Sequence, residues 1–306
     1  MILSPTVVNM HEYISDIELR RQAWKYYAVP IFWIVYTFFL PWAWTRFGPW
    51  SILLMVIPGA WLYAWLSYLM HESWHRYVPN VNNDRFLKFA NLLLGCDPQL
   101  YRLVHGYHHS RIHTWDDTEF HPIGRIPSRP HRALYNTLEI VFGLIFIFAL
   151  LACVVPRHPR YRDRYSRSSS ILAFLCITLI YGTIGLASAL TFGLAAPQVL
   201  IPWAINFWIC AFVVHQDQMI QHGGIIVDGD LDERNLATRN FPAAGPVSRF
   251  ILFLLHSDPR EHVLHHTMVR VHHRPFPGRV PLPENAVYIS PLAYVRVLAA
   301  LITGKE

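Results

Sequence analysis

Residues 50–75 read WSILLMVIPGAWLYAWLSYLMHESWH, an apolar run that ends in two histidines four positions apart. The apolar part (50–70) has about the 20 residues that a helix needs to cross a bilayer. Residues four apart share one face of a helix, so His71 and His75 can bind one metal ion. H-E-x-x-H is also the pattern of zinc hydrolases, in which the glutamate, here Glu72, is the general base. The rest of the chain has to decide whether this is such a hydrolase.

The composition is that of a membrane protein with sizeable aqueous parts. Hydrophobic residues make up 53% of the 306 residues and charged residues only 15%, whereas soluble domains carry about 25% charged residues. Arginine supplies most of the net charge of +6, which suits anionic lipid headgroups or an acidic redox partner. A nucleic-acid partner fits so apolar a chain poorly. The four cysteines form no C-x-x-C pair and are expected to be buried, reduced thiols.

Four apolar segments predict two transmembrane hairpins, one at 28–70 and one at 170–214. The predicted fold is an all-α integral membrane protein with four transmembrane helices and a cytosolic helical cap that carries the histidines. The chain is expected to form one domain over residues 1–306. Its predicted segments are an amphipathic N-terminal part at 1–27 with a helix at 11–27, the first hairpin at 28–70, a histidine-bearing part at 71–132, an interfacial helix and basic loop at 133–169, the second hairpin at 170–214, and a histidine-bearing tail at 215–306.

The arginines predict the orientation. Five of them lie at 156–167, and loops rich in arginine near membrane spans are usually cytoplasmic. With this loop and the N-terminus in the cytoplasm, both hairpins deliver their histidines to the cytoplasmic face. The apolar stretch 133–155 must then lie in the interface or re-enter the membrane without crossing it. We therefore expect a multi-pass protein with its active site on the cytoplasmic face.

The histidines are the main functional signal. The chain has 18 of them, and several lie in groups whose spacing of three or four residues aims them to one side of a helix. Asp97 and Pro98 precede one group as N-cap and first helical residue, and the run 258–261 precedes another as a variant capping box. The candidate metal ligands are His71, His75, His105, His108, His109, His222, His262, His265 and His266.

Nine histidines are too many for one catalytic zinc, which uses about three protein ligands and a water. The number suits two metal ions with four or five nitrogens each, although imidazole by itself selects no single metal. Because nine neutral ligands leave the metal charge uncompensated, nearby acids are expected to bind the far ring nitrogens. The candidate acids are Asp116, Asp117, Glu119, Asp217, Asp232 and Glu261. Ordinary structural roles are expected for His11, His131 and His158, and structural or supporting roles for His113, His121, His256, His272 and His273.

These motifs resemble the three histidine boxes of the integral-membrane fatty acid desaturase and hydroxylase superfamily. The boxes are HESWH, HGYHH and HVLHH. The sequences after the second and third boxes, HHSRIHTWDDTEF and HHTMVRVHHRPFPGRVPLP, also resemble that family. The resemblance covers about residues 28–285. It implies two iron ions in a non-haem di-iron centre, O2 as co-substrate, and two external electrons per turnover for conversion of a C–H-bearing chain into an alkene or alcohol.

The resemblance also implies ligand roles for the eight box histidines and for His222. Four residues before that extra ligand, many relatives have Asn or His, whereas this chain has Gln218. Gln218 is a possible partner of the metal site, and His215 is a candidate substitute on the same helical face. Asp117 and Glu261 are further possible supporting residues, and Glu72 takes a supporting or structural role. No catalytic side chain beyond the metal centre is predicted.

The function that this implies is desaturation of a fatty acyl or similar lipophilic chain. An alternative is a hydroxylase or ketolase of the same superfamily that acts on a carotenoid, sterol or other lipid. A remote alternative is an intramembrane zinc protease with Glu72 as base and Asp228 as third ligand, and a non-enzymatic alternative is a metal transporter or storage protein. No cytochrome b5-like segment or Rossmann glycine pattern is present, so a separate ferredoxin or cytochrome b5-type protein is the expected electron donor. A substrate tunnel between the spans is expected, with Trp61, Tyr63, Trp65 and Tyr68 as candidate wall residues.

Overall fold

The computed structural model describes residues 15–48, 50–77, 80–242, 245–255, 262–267 and 283–305. The capping box predicted at 258–261, including Glu261, lies outside these residues. The described part is mostly helical. Its helices are α1 (Asp16–Arg20), α2 (Lys25–Phe47), α3 (Trp50–His75), α4 (Asn83–Leu93), α5 (Pro98–Arg111), α6 (Arg129–Phe142), α7 (Leu144–Val154), α8 (Arg167–Phe192), α9 (Ala196–His222), α10 (Leu231–Leu236), α11 (Gly245–Leu255), α12 (His262–Thr267) and α13 (Pro291–Ile302).

Three segments of the described residues are long and apolar enough to cross a membrane: Ile17–Phe47, Arg167–Phe192 and Ala196–His222. They correspond to three of the four predicted spans. The remaining predicted span, 50–70, lies within α3, whose 26 residues extend over about 39 Å at 1.5 Å per residue. The side chains of 52–56 in that helix are outside the described residues, so the four-span arrangement stays a prediction.

Polar side chains connect the long helices inside an apolar core. The Trp33 indole of α2 donates to the Tyr181 hydroxyl of α8 at 3.0 Å, and the Trp203 indole of α9 donates to the Thr37 carbonyl at 2.9 Å. Buried polar atoms without partners destabilise an apolar interior, so these bonds favour one arrangement of the helices. They join α2 to α8 and to α9. α3 packs against both α2 and α9, which places the histidine-bearing ends of α3 and α9 close together.

The ambiguous stretch 133–155 forms two helices with a break at Gly143. The backbone has φ of 54° there, and a Cβ would lie only 2.6 Å from the Ala211 carbonyl oxygen of α9. Glycine is therefore required both by the left-handed conformation and by the close approach of α9. The 11 residues of α7 extend over only about 16 Å, less than the roughly 30 Å of a bilayer core. α7 alone is thus too short to cross, and the interfacial or re-entrant position of the whole stretch 133–155 stays a prediction.

Local signals around the histidine-bearing helices were read correctly in one case and incorrectly in another. Asp97 caps α5 by accepting a hydrogen bond from the Gln99 backbone N–H at 2.8 Å, with Pro98 at the first helical position, as predicted. The continuous amphipathic helix predicted at 11–27 is wrong in its described part, because α1 has only five residues and a turn precedes α2. α9 continues as one helix beyond residue 214, the predicted end of the second hairpin, to His222.

The prediction of a purely α-helical chain missed one small element. Strands β1 (Arg239–Asn240) and β2 (Val287–Tyr288) pair in parallel. The Asn240 side chain joins this pair to α12, because its Oδ1 accepts from the Val263 backbone N–H at 3.3 Å and its Nδ2 donates to the Val287 carbonyl. These bonds hold α12, which carries the third histidine box.

Candidate metal centre

Four helices bring the candidate ligands together. The first box is the last turn of α3, the second box is the middle and end of α5, His222 is the last residue of α9, and the third box forms α12. The two long helices thus supply ligands from their ends, and the two shorter helices supply ligands from their faces. All nine predicted histidines lie in this region.

The first ligand group contains five histidines whose ring nitrogens lie within 4.8 Å of one another. The Nε2 atom of His105 lies 3.4 Å from that of His75 and 3.2 Å from that of His109. The group takes residues from all three boxes. Its members are His71, His75, His105, His109 and His265.

The second ligand group contains His108, His222 and His266, whose nitrogens also lie within 4.8 Å of one another. His262 borders this group, with its Nε2 3.0 Å from Nε2 of His222 and 3.1 Å from Nε2 of His266. With His262 included, the second group offers four imidazoles. The nine histidines therefore divide into sets of five and four.

The nitrogen separations suit metal ligation. Imidazole nitrogens bind a metal such as zinc at about 2.1 Å, so two neighbouring ligands at angles of about 90–110° lie about 3.0–3.4 Å apart. The Nε2 pairs named above fall between 3.0 and 3.4 Å. Without a metal, two imidazole nitrogens at this distance are held together by at most one N–H···N hydrogen bond, so the packing of several such pairs is not explained by hydrogen bonding alone. The donor sets thus fit two metal ions of the kind that imidazole prefers.

Two acids hold the far side of the ligand rings, one for each group. Glu119 Oε2 lies 2.9 Å from Nδ1 of His105 in the first group, and Asp117 Oδ2 lies 2.8 Å from Nδ1 of His108 in the second. A carboxylate that accepts a hydrogen bond from Nδ1–H keeps the proton on Nδ1. The Nε2 lone pair is then free to bind a metal and is more basic. Asp117 was predicted for this role, and Glu119 was among the candidate acids.

His113 supports the second group through a chain of hydrogen bonds. Its Nδ1 lies 2.7 Å from the Arg234 carbonyl oxygen, and its Nε2 lies 3.1 Å from Nδ1 of His222. A carbonyl only accepts, so Nδ1 of His113 carries the proton and Nε2 accepts from His222. This leaves the Nε2 lone pair of His222 free for a metal. Sequence reasoning placed His113 near the site, but no motif signalled this role.

Burial favours the neutral form of several of these imidazoles. Burial lowers the pKa of His109, His265 and His266, and the neighbouring imidazoles lower it further. Burial likewise lowers the pKa of His113 to about 3, against the effect of its bond to the Arg234 carbonyl. His108 differs: burial lowers its pKa, but the Asp117 and Glu119 carboxylates outweigh burial and raise it overall. Neutral imidazole is the form that binds metal.

The other predicted residues near the site have different surroundings. His215 belongs to neither group; its Nε2 lies 3.2 Å from Glu139 Oε1 and its Nδ1 lies 3.2 Å from Gln218 Oε1. Gln218 itself lines the cavity beside the histidines. The buried Glu139 was missed from the sequence, because it lies among apolar residues of α6 with no motif around it.

The zinc-hydrolase interpretation of HESWH gains no support from the geometry. Glu72 is buried and belongs to neither ligand group, and the proposed third ligand, Asp228, is exposed. His71 and His75 lie among three further histidines. Within the described residues, the glutamate between them is therefore not a metal ligand of either group.

A cavity extends from the two ligand groups into the apolar interior. Its walls include the predicted Tyr63 and Tyr68, together with Leu144 and Val214. The prediction for Trp61 and Trp65 was wrong, since they pack on each other with ring centroids 4.8 Å apart and are not among the wall residues. The histidines thus face a cavity whose walls are partly apolar.

Comparison with known proteins identifies the family. The family model described as "Fatty acid desaturase" matches residues 47–277. The chain belongs to the fatty acid desaturase family. None of the curated proteins matches it. The matched range contains all three boxes and His222, and membership of this family makes the chain an oxidoreductase.

Proposed function

We propose that this family member is an O2-dependent membrane di-iron oxidase that introduces a double bond into a fatty acyl or similar lipophilic chain. The observation that carries the proposal is the division of nine histidines into two adjacent groups at one end of an apolar cavity. A zinc protease needs a single metal and a base, whereas this arrangement offers two sets of imidazole nitrogen donors. A metal transporter normally places its ligands along a path at bilayer depth, whereas these histidines lie at the ends of two long helices and on two shorter ones.

The described residues have clear tasks in such a reaction. Two bound iron ions would activate O2 and supply the oxidising power that removal of hydrogen from an unactivated methylene requires. The five histidines around His105 would hold one iron, and the set of His108, His222, His262 and His266 the other. Glu119, Asp117 and His113 keep the ligand rings in the correct tautomer and orientation. Because none of this requires a side-chain base at the substrate, we assign none.

The cavity would orient the chain. Its apolar walls exclude water and hold a short segment of the substrate next to the histidines. Holding the reacting groups in the correct geometry lowers the entropic part of the barrier. Tyr101 stacks on His105 with ring centroids 5.0 Å apart and lines the same cavity. We assign Tyr101 a positioning role, in which it fixes one wall between substrate and ligand.

A hydroxylase or ketolase on the same scaffold is the second candidate function. The same two ligand groups serve both reactions, and the position of the chain decides whether it loses two hydrogens or gains an oxygen. Mass spectrometry of the product separates the two outcomes. In both cases the electrons are expected from a separate ferredoxin or cytochrome b5-type protein.

The test is expression of the full chain in a host with a suitable reductase, followed by lipid mass spectrometry. We expect a new product from the wild type and none from His105→Ala or His262→Ala. His131→Ala, which changes an exposed histidine of α6, is the matched control and should keep the product. Metal analysis should find about two iron ions per wild-type chain, one for each ligand group. Product formation by both box variants, or one zinc per chain, would refute the proposal.

The proposed orientation has its own test. We propose that the loop 156–167 and the ligand groups lie on the cytoplasmic side, because of the five arginines in that loop. A thiol introduced at the exposed Arg162 should react with a membrane-impermeant reagent only after the cytoplasmic side is opened. Reaction in intact cells would place the loop outside.

A further inference from the structure

A second cavity lies beside the first and reaches the protein surface between α7 and α8. Five residues are walls of both cavities, so the two spaces adjoin: Tyr63, Leu94, Cys96, Leu144 and Phe148. The outer walls come from α7, with Ile145 and Ala149, and from α8, with Phe174. We call this second cavity the α7–α8 cleft.

The mouth of the cleft faces the lipid. Ile145 and Phe174 have exposed fractions of 46% and 67%, and α8 is one of the candidate membrane spans, with most of its surface left uncovered by the described residues. α7 packs on α5, α6 and α9, and α8 packs on α2, α4, α5 and α9; any packing between α7 and α8 is slighter. In a membrane, the apolar side chains that line this gap are in contact with the hydrocarbon tails of the lipids. A lipid chain can therefore enter the gap at little cost in free energy.

The polar end of the mouth carries positive charge. Ser170, Phe174 and Ile177 line the cleft from one face of α8, and Arg167 lies on that face one turn before Ser170. Arg167 is exposed, and its guanidinium has no ion pair or hydrogen bond among the described residues. The Asp97 carboxylate, deeper in the mouth, is already bonded to the Gln99 backbone N–H and the Ser170 hydroxyl. The Asp97 carboxylate keeps its negative charge, but its two oxygens are taken up by these donors. The cation at the start of α8, Arg167, has an exposed guanidinium, and guanidinium suits a phosphate.

We infer that the α7–α8 cleft is a lateral portal through which an acyl chain of a membrane phospholipid reaches the histidine-lined cavity, with its phosphate at Arg167. The inference rests on the proposed function and narrows its substrate to a chain that is still anchored in the bilayer. Acyl chains on soluble thioester carriers keep a large polar carrier in water, so a passage from the aqueous side suits them better than a cleft that opens to lipid. Tyr63 and Leu94, joined by a hydrogen bond of 3.3 Å from the tyrosine hydroxyl to the Leu94 carbonyl, form one wall of the passage between the two cavities.

The portal is tested by photo-crosslinking of the full-length protein in lipid nanodiscs. The probe is phosphatidylglycerol with a diazirine near the methyl end of one chain, and the readout is label on the side chains of Leu94 and Cys96, which lipids around the protein do not reach. Leu94 and Cys96 are buried and are walls of both cavities. Ala149→Trp, which fills the cleft, should reduce this label at least several-fold. The matched control Ala187→Trp changes an exposed alanine of α8 outside the cleft and should leave the label unchanged.

A second pair of variants tests the headgroup contact. Arg167→Gln should reduce the label from phosphatidylglycerol but not from a neutral diacylglycerol with the same diazirine. Arg162→Gln removes the same charge from an arginine that lies 3.5 Å from Asp163, and it should change neither label. Ala152→Trp, at another wall position of the cleft, replaces Ala149→Trp should that variant fail to fold.

Two results would overturn the inference. One is label on Leu94 and Cys96 that does not change when the cleft is filled. The other is equally strong label from an acyl-CoA diazirine supplied in water. The readout does not depend on turnover, so His105→Ala should keep the label while it loses the product. A labelled but inactive wild type would refute the oxidase proposal alone, and an active wild type without cleft-dependent label would refute the portal alone.

Discussion

Replacement of Asp117 by asparagine should weaken one metal site and leave the other intact. The Asp117 carboxylate lies 2.8 Å from His108 Nδ1, and both residues are buried, with exposed fractions of 1% and 2%. Asparagine preserves the shape and one accepting oxygen but removes the negative charge. His108 belongs to the second ligand group, whereas Glu119 holds His105 of the first group.

The size of the effect follows from the difference between two kinds of hydrogen bond. A bond to a charged group contributes about 1.5–3 kcal/mol and a neutral one about 0.5–1.5 kcal/mol. The difference of about 1–1.5 kcal/mol corresponds to a loss of roughly tenfold in affinity. This lies at the lower end of the roughly 10–100-fold losses typical for residues that hold a metal ligand from behind.

The assay is anaerobic competition of Fe(II) between the protein and a chromophoric chelator. We expect two binding steps in the wild type. In Asp117→Asn the step that belongs to the second ligand group should be about tenfold weaker, and in Glu119→Gln the step that belongs to the first group should be weakened instead. Asp116→Asn is the matched control, because Asp116 is the adjacent residue and is exposed. Unchanged binding in Asp117→Asn, or equal weakening of both steps in a correctly folded variant, would refute the assignment of one acid to each group.

Three further predictions concern stability in detergent. Gly143→Ala should lower the thermal midpoint, because it adds strain of about 1–3 kcal/mol to the folded state: φ is 54° and the new Cβ meets the Ala211 carbonyl at 2.6 Å. The control Gly182→Ala, with open space around it, should leave the midpoint unchanged. Acidification should destabilise the metal-free protein, because unfolding restores the pKa of His113 from about 3 to its ordinary 6.5. The unfolded state then binds the extra proton, so this stabilisation is complete above pH 6.5 and is lost as the pH falls towards 3; a midpoint independent of pH would contradict this. Chelation of the metal should also lower the midpoint, since ligands of the folded state stabilise it, and an unchanged midpoint would show that the metal contributes nothing to folding.

Much of the fold was readable because its signals are local. Apolar length predicted three of the spans that the described residues contain, and the sequence Asp97-Pro98 predicted the start of α5. The two-residue strands β1 and β2 were not predictable, since they depend on the docking of segments 48 positions apart. The break between α6 and α7 also depends on a distant partner, because the α9 backbone passes against Gly143.

The set of candidate ligands came from the sequence, and their partners came from the fold. Spacing of three and four residues is a property of a single helix, so it identified the boxes without tertiary information. Glu139 and His113 illustrate the opposite case. Each bonds to a residue far away in the chain, His215 and His222 respectively, and no short-range pattern marks such a pair.

The sequence by itself determined that nine histidines gather at the ends and faces of helices in a membrane protein, because composition and helical periodicity are local properties. Only the tertiary structure decided how they divide. Consecutive residues on a helix point about 100° apart, so neighbouring ligands such as His108 and His109 belong to different groups. The same division separates His265 from His266. Each of these two boxes therefore contributes to both groups, and this sharing depends on how α3, α5, α9 and α12 pack against one another.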